Sequence, residues 1–198
     1  MGIELLYITN DPKEAIAAQN AGIERIFLDL ETEGKAKRQG HKDTFISKHN
    51  INDIESIAKV LDKSKLLVRV NPLNINSSDE INEVIKRGAN YIMLPMFTLP
   101  EEVKKFIEII RKRTKVSLLL ETPESLVRLN EILEIDGIDE IHIGLNDLHL
   151  GMGLDFMFEL LSEGIVDYIA KKIKKKGIKF GFGGISLINT GDLNSSLI

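Results

Sequence analysis

The chain of 198 residues has no cysteine and no tryptophan, only five prolines, and aromatic side chains make up just 6% of it. Without cysteine there are no disulfide staples and no thiolate nucleophile, so apolar burial has to hold the fold. MGIELLYITND contains no basic region followed by a long apolar stretch, and no run approaches the roughly 18 apolar residues of a membrane helix. Neither a signal peptide nor a membrane partner is therefore expected, and the cytoplasm is the expected compartment. A strong charge bias is missing too. With 26 basic and 30 acidic residues the net charge is −4, which gives no reason to expect a nucleic-acid partner. The one basic run, KKIKKK, reads as the solvated end of a helix, where cations suit the dipole. What is present, 43% hydrophobic and 28% charged residues, is the composition of a soluble protein with a sizeable core, expected as one domain over residues 1–198.

Short apolar runs recur along the chain: ELLYIT, RIFLDL, KLLVRV, YIMLPM, VSLLLE, EIHIGL and KFGFGGIS. Each is continuous rather than alternating, the pattern of strands buried on both faces. Between most of them lie helically spaced segments that open on a cap or a first-turn proline followed by acids: Asp11-Pro12, Ser78-Asp79-Glu80, Leu99-Pro100-Glu101-Glu102 and Thr122-Pro123-Glu124. One helix is expected from about Asp155 to Lys176. Four segments, AGIERIFLDL, RGANYIMLP, DGIDEIHIGL and KGIKFGFGG, share a glycine, a short polar step and a strand. Gly22, Gly88, Gly137 and Gly177 would supply the left-handed residue that ends each helix. Repeated helix-to-strand joints of this kind imply a parallel sheet. No G-x-G-x-x-G follows the first strand, so a dinucleotide fold is not indicated. The expected architecture is α/β, a TIM (β/α)8-type barrel with seven visible strands and no eighth before the chain ends.

The chemistry of such a barrel sits where its strands end. The polar residues at those ends are Asp29 and Glu31, Arg69 and Asn71, Glu121, and Asn146 and Asp147. Glu121 closes VSLLLE and Asp147 closes EIHIGLND. Two carboxylates brought together repel unless a proton or a cation lies between them, and oxygen-only donors favour Mg²⁺ or Mn²⁺ over Zn²⁺. Arg69, inside an apolar strand, needs an anionic partner. It either binds an anionic substrate or pairs with Asp29 or Glu31 as internal scaffolding. Of the four histidines, His142 reads as a core residue and His149 as a cap or lining of the mouth. His41 and His49 fall in the long polar stretch after Glu31, where either would act as a base if that stretch folded over the mouth. The glycines of GFGGIS carry no lysine for a phosphate loop and suit close backbone approach instead.

FLDLE, VRVNP, YIMLP, LLLETPESL and IGLNDLHLGMG, in this order between about residues 20 and 186, resemble the HpcH/HpaI aldolase and citrate lyase β-subunit family. The resemblance implies a TIM barrel that binds Mg²⁺, Mn²⁺ or a similar divalent cation through Glu121 and Asp147. It implies that Arg69 binds a carboxylate or carbonyl of the substrate, with Asp29 and Glu31 of the strand-two motif beside it in the catalytic set. The backbone around Gly144, Leu145 and Asn146 would hold the substrate carboxylate. Members commonly form homo-oligomers and make or break a carbon–carbon bond beside an enolate. Three departures stand out. Thr32 follows Glu31 where the pyruvate aldolase branch carries a histidine base, Met96 stands where a lysine is common, and the eighth strand is missing. The expected activity is a divalent-metal-dependent carbon–carbon lyase acting through the enolate of pyruvate or a related 2-oxo acid. The alternatives are a citrate lyase-like acyl-CoA lyase or thioesterase, to which Lys35, Lys37 and Arg38 after the DLE bring the chain closer, and a non-catalytic metal- and ligand-binding scaffold.

Overall fold

The computed structural model describes residues 2–32 and 49–183. Its seven strands are β1 (Leu6–Ile8), β2 (Arg25–Asp29), β3 (Lys65–Arg69), β4 (Tyr91–Leu94), β5 (Lys115–Leu120), β6 (Glu140–Gly144) and β7 (Lys179–Gly183). All are parallel, and each pairs with the next in chain order. An order without reversal is the winding of a (β/α) barrel rather than of a doubly wound sheet, which turns back at a switch point. The helices are α1 (Pro12–Asn20), α2 (Asp53–Ala58), α3 (Ser77–Lys86), α4 (Pro100–Ile110), α5 (Pro123–Val127), α6 (Leu129–Ile132), α7 (Leu145–Gly151), α8 (Glu159–Ser162) and α9 (Ile165–Lys175). Among the described residues no helix is long and apolar enough to cross a membrane.

The local signals explain the joints. Pro12, Pro100 and Pro123 occupy the first turns of α1, α4 and α5, where their missing N–H costs nothing. Asp11 accepts from Lys13 N at 2.7 Å, and Glu102 reaches back to the Leu99 and Thr98 amides at 2.8 and 2.7 Å. The four glycines after α1, α3, α6 and α9 all take the positive φ that ends a helix cheaply, between 71° and 108°. One expectation is corrected. The segment 155–176 is not a single helix. Gly164, at φ 74°, breaks it into α8 and α9, because a residue in the left-handed region ends the run of helical hydrogen bonds.

Strand side chains that point outward, such as Ile26, Val68, Ile92, Leu118 and Ile143, pack under the apolar stripes of the helices, among them Val103, Phe106 and Ile110 of α4 and Val166, Ile169 and Ile173 of α9. The inward face carries a second, smaller core of Leu67, Met93 and Leu119, with Leu6, Phe27 and Tyr91 against it. Below that core the interior is ionic. Arg25, at the start of β2, ion-pairs across the barrel with Glu140 of β6 and lies 4.1 Å from the Tyr91 ring. It also holds Glu4 at 2.9 Å, and Lys179 of β7 holds Glu4 at 3.0 Å. Pairs that join β2 to β6 and β7 to the chain before β1 mark a sheet that has curled on itself.

The curl is incomplete. Among the described residues no strand lies between β7 and β1, and Tyr7, Ile8, Phe180 and Phe182 on these two edge strands are exposed. Strands buried on both faces were expected throughout; β1 and β7 depart from this because, among the described residues, each lacks an outer neighbour. Ser117 of β5 is fully buried, and its hydroxyl has no hydrogen-bond partner among the described residues. An unmade buried hydrogen bond costs about 1–3 kcal/mol, whereas a methyl group has none to lose. Ser117→Ala is therefore expected to leave stability unchanged or raise it by about 1 kcal/mol in urea unfolding. A loss of that size would place a tightly held water on the hydroxyl.

Candidate active site at the mouth of the barrel

Asp29 and Arg69 end their strands as direct register partners, so their side chains rise from the same face of the sheet. Nε and Nη2 of Arg69 donate to Oδ1 and Oδ2 of Asp29, both at 2.8 Å, in a two-pronged pair. Glu31 Oε2 lies 3.5 Å from Nη2, and the Glu31 amide donates to Asp29 Oδ1 at 3.1 Å. Both acids are only 3% exposed. Burial works against the charge on Arg69, but the hydrogen bonds and charge of Asp29, with Glu31 and Glu121 behind them, outweigh it and raise its pKa further. Of the two roles open to Arg69, the scaffolding one is realised through Asp29. Nη1 makes no hydrogen bond to the described residues, so a donor edge remains for a ligand.

The rest of this side is locked by hydrogen bonds. His49 Nδ1 accepts the Asp29 amide at 3.0 Å, a role that requires Nδ1 to be unprotonated. Thr32, at the position of the expected base, donates its amide to Asn71 Oδ1 at 2.9 Å, with its hydroxyl at 3.3 Å from the same oxygen, and Asn71 Nδ2 donates to Glu80 at 2.8 Å. Asn71 is thus a brace between the β2 and β3 loops. His41, Lys35, Lys37 and Arg38 lie outside the described residues.

Glu121 follows β5 directly and is 3% exposed. Its Oε1 accepts the Met96 amide at 3.0 Å. Met96 has a φ of 53°, unusual for a side chain of its kind, and such strain is held only where the surroundings insist on it. Here Thr122 helps, because its hydroxyl donates to the Phe97 carbonyl at 2.8 Å and ties the loop after β4 to the loop after β5. On the other side, a Cβ at Gly144 would come within 2.8 Å of the Glu121 Cβ and 3.0 Å of Oε2, so only glycine leaves the carboxylate in place. Burial pushes the Glu121 pKa up to about 8. Arg69 opposes the shift, while Asp147 and Glu31 add to it.

Asp147 is not at the strand tip as expected. β6 ends at Gly144, and Asp147 sits in the first turn of α7, partly buried, from where its charge acts on Glu121. Gly144 caps that helix, and Leu145 and Asn146 open it. His149 is buried, with Nδ1 3.1 Å from the Leu145 carbonyl, which ties it to its own helix. His142 faces the interior and is partly buried. Burial, then Arg25 and Arg69, lowers its pKa to about 4, so the ring is neutral.

Among the described residues no three His, Cys, Asp or Glu side chains gather into a ready cation cage. Two carboxylates nonetheless fit Mg²⁺, which keeps several waters and takes one or two carboxylates with substrate oxygens. The unfavourable charge on Glu121 beside Asp147 is of the kind that a divalent cation relieves. Asp29, Glu31, Arg69, Glu121 and Asp147, expected from the sequence, all lie on this side of the barrel. The Met96 amide on Glu121 and the inward position of His142 were not legible, since neither a strained backbone nor a layer inside a barrel leaves a mark in residue types.

A sequence model described as HpcH/HpaI aldolase/citrate lyase matches residues 5–181. Among solved structures, an HpcH/HpaI aldolase from Desulfitobacterium hafniense DCB-2 aligns with a TM-score of 0.74 at 14% identity, covering 93% of this chain and 79% of the other. The citrate synthase SbnG aligns with a TM-score of 0.71 at 17% identity, over 92% of this chain and 77% of the other. Macrophomate synthase aligns with a TM-score of 0.67 at 12% identity, over 92% and 71%. At these identities the likeness is one of fold. A probable phosphoenolpyruvate synthase from Methanocaldococcus jannaschii is 29% identical over 111 residues; the match covers 47% of this chain and 9% of that much longer protein.

Proposed function

The chain belongs to the HpcH/HpaI aldolase/citrate lyase family, and from that premise we propose that it is a divalent-metal-dependent carbon–carbon lyase acting through the enolate of pyruvate or a related 2-oxo acid. The observation that carries this reading is Glu121. A buried carboxylate with a pKa near 8, anchored by a strained backbone amide and repelled by Asp147, is expensive to keep unless charge is to be placed beside it. Glu121 and Asp147 would hold the cation, Mg²⁺ or Mn²⁺. Once bound, it would supply positive charge that acidifies the carbon next to the substrate's keto group.

The side chains perform the remaining tasks. Arg69, fixed in direction by Asp29, would present its Nη1 edge to the substrate carboxylate or to the oxygen on which negative charge develops. Because Asp29 and Glu31 hold the guanidinium in place beforehand, little reorganisation is needed when the charge appears. The amides at the start of α7, around Gly144, Leu145 and Asn146, would receive the carboxylate.

The test is exchange of solvent deuterium into the methyl group of pyruvate, followed by proton NMR with Mg²⁺ present. Exchange that depends on the cation is the expected result; intact metal binding without exchange would sink the pyruvate reading. A second reading, an acyl-CoA lyase or thioesterase, is favoured by Thr32, which is hydrogen-bonded to Asn71 where an aldolase base would stand. Micromolar CoA affinity in calorimetry would select it.

A further inference from the structure

Two inward-facing positions near the top of β7 carry no side chain, and neither does their neighbour on β6. Gly183 is in register with Gly144, and Gly181 with His142. Residues in register on parallel strands point to the same face, so these glycines form a bare shelf on one wall of the barrel, just below its mouth. Two polar side chains lie on it. Glu121 rests against Gly144, where a Cβ would stand 3.0 Å from Oε2. His142 rests against β7, where a Cβ at Gly183 would stand 2.8 Å from Nε2 and one at Gly181 would stand 3.3 Å from Nδ1. Since neighbouring strands are about 4.8 Å apart, Glu121 and His142 rest against adjoining stretches of the same shelf.

The imidazole has no hydrogen bond there among the described residues. Leu119 is in register with His142, so the ring lies one inward-facing layer beneath Glu121, between Arg25 deeper in the barrel and Arg69 at the mouth. The ring is partly buried and its nitrogens are not sealed off, so they are open to a ligand or water. The neighbouring inward positions, Leu119 and Met93, are apolar and offer no such donor.

We propose that His142 is a further substrate-contacting residue of this site, donating a hydrogen bond from its ring to an oxygen of the bound 2-oxo acid. The inference rests on the lyase reading above. The oxo acid is the ligand concerned because Glu121, beside which it would bind, stands one inward-facing layer above His142, whereas a second reactant would enter from the mouth. The donor is neutral, so it would stabilise negative charge on that oxygen without attracting a second anion into the site. The glycine shelf is what allows the ring to lie flat against the wall and leave the centre open.

The test uses oxalate, a stable mimic of the enolate, titrated into the Mg²⁺-loaded chain by calorimetry. His142→Phe keeps a ring of similar size and removes the donor; His142→Gln keeps a donor. The Phe variant is expected to bind oxalate roughly tenfold more weakly, the worth of one hydrogen bond, with unchanged Mg²⁺ affinity, and the Gln variant to recover most of the loss. Equal oxalate affinity in the wild type and the Phe variant would overturn the inference and leave the lyase reading standing. Equal losses in the Phe and Gln variants would reduce His142 to a packing residue and overturn it as well. Failure of the wild type to bind oxalate would remove both. Should the Phe variant not fold, the ¹⁵N resonances of His142 in the wild type decide: a shift of its protonated nitrogen on adding oxalate supports the contact, and no shift refutes it.

Discussion

Replacing Arg69 by alanine should destabilise the chain by about 3–5 kcal/mol, the usual consequence of removing one partner from a buried ion pair. The reason lies in what is left behind. Asp29 and Glu31 are each 3% exposed, and both carboxylate oxygens of Asp29 accept hydrogen bonds from Arg69. Without the guanidinium two buried carboxylates lose the cation that sits between them. A neutral replacement should behave differently: Arg69→Met combined with Asp29→Asn and Glu31→Gln removes the charges together and should recover most of the stability, while catalysis stays lost. Urea unfolding of the single and triple variants, alongside the deuterium-exchange assay, separates the two roles. If the alanine variant were as stable as the wild type, the pair would be a surface contact in solution and its catalytic pre-organisation would fall with it.

Glu121→Gln should abolish divalent-cation binding and, without the cation, make the chain more stable at alkaline pH. The sign follows from the direction of the shift. Burial, with help from Asp147 and Glu31, raises the folded-state pKa from the ordinary 4.5 to about 8. The folded chain therefore holds this proton more tightly than the unfolded chain does. The stability associated with it is fully present below about pH 4.5 and is lost as the pH climbs through about 8. A shift of this size corresponds to a few kcal/mol. Glutamine does not titrate, so the melting temperatures of variant and wild type should be close at about pH 5 and diverge in the variant's favour at about pH 9. Adding Mg²⁺ should reverse the order at the higher pH by stabilising only the wild type, because the cation binds the ionised carboxylate and displaces its proton. Parallel melting curves across the range, with and without Mg²⁺, would remove Glu121 from the proposed metal site.

The parts of the molecule legible in the sequence are those set by local chemistry. Seven continuous apolar runs became seven parallel strands, because a strand covered on both faces has no polar face to alternate with. Gly22, Gly88, Gly137 and Gly177 ended helices as expected, because a left-handed residue is cheapest without a Cβ. Gly164 breaks the segment 155–176 in the same left-handed way, but the apolar spacing on its two sides is that of one helix, so the break shows only in the backbone. The edge strands went astray for a different reason. β1 and β7 come from runs that are continuous in apolar character like the others, but exposure depends on whether a neighbour is present, and no residue type encodes that.

The acids and the arginine at the strand ends were readable for a related reason. An ionic residue that interrupts or closes an apolar run has to be paired, hydrated or used. The sequence by itself therefore determined the seven strands, the family, and the placing of Asp29, Glu31, Arg69, Glu121 and Asp147 at or just beyond the strand ends. Only the tertiary structure decided how they divide the work. Arg69 is clasped by Asp29 because β2 and β3 lie in that register, and Asp147 acts from the first turn of α7 because β6 stops at Gly144. Glu121 is held by the Met96 amide, and His142 lies on a shelf of glycines, through contacts that join separate strand ends. Spacing along a chain specifies what each element is; the distances that tune a carboxylate or orient a guanidinium exist only once separate strands are laid side by side.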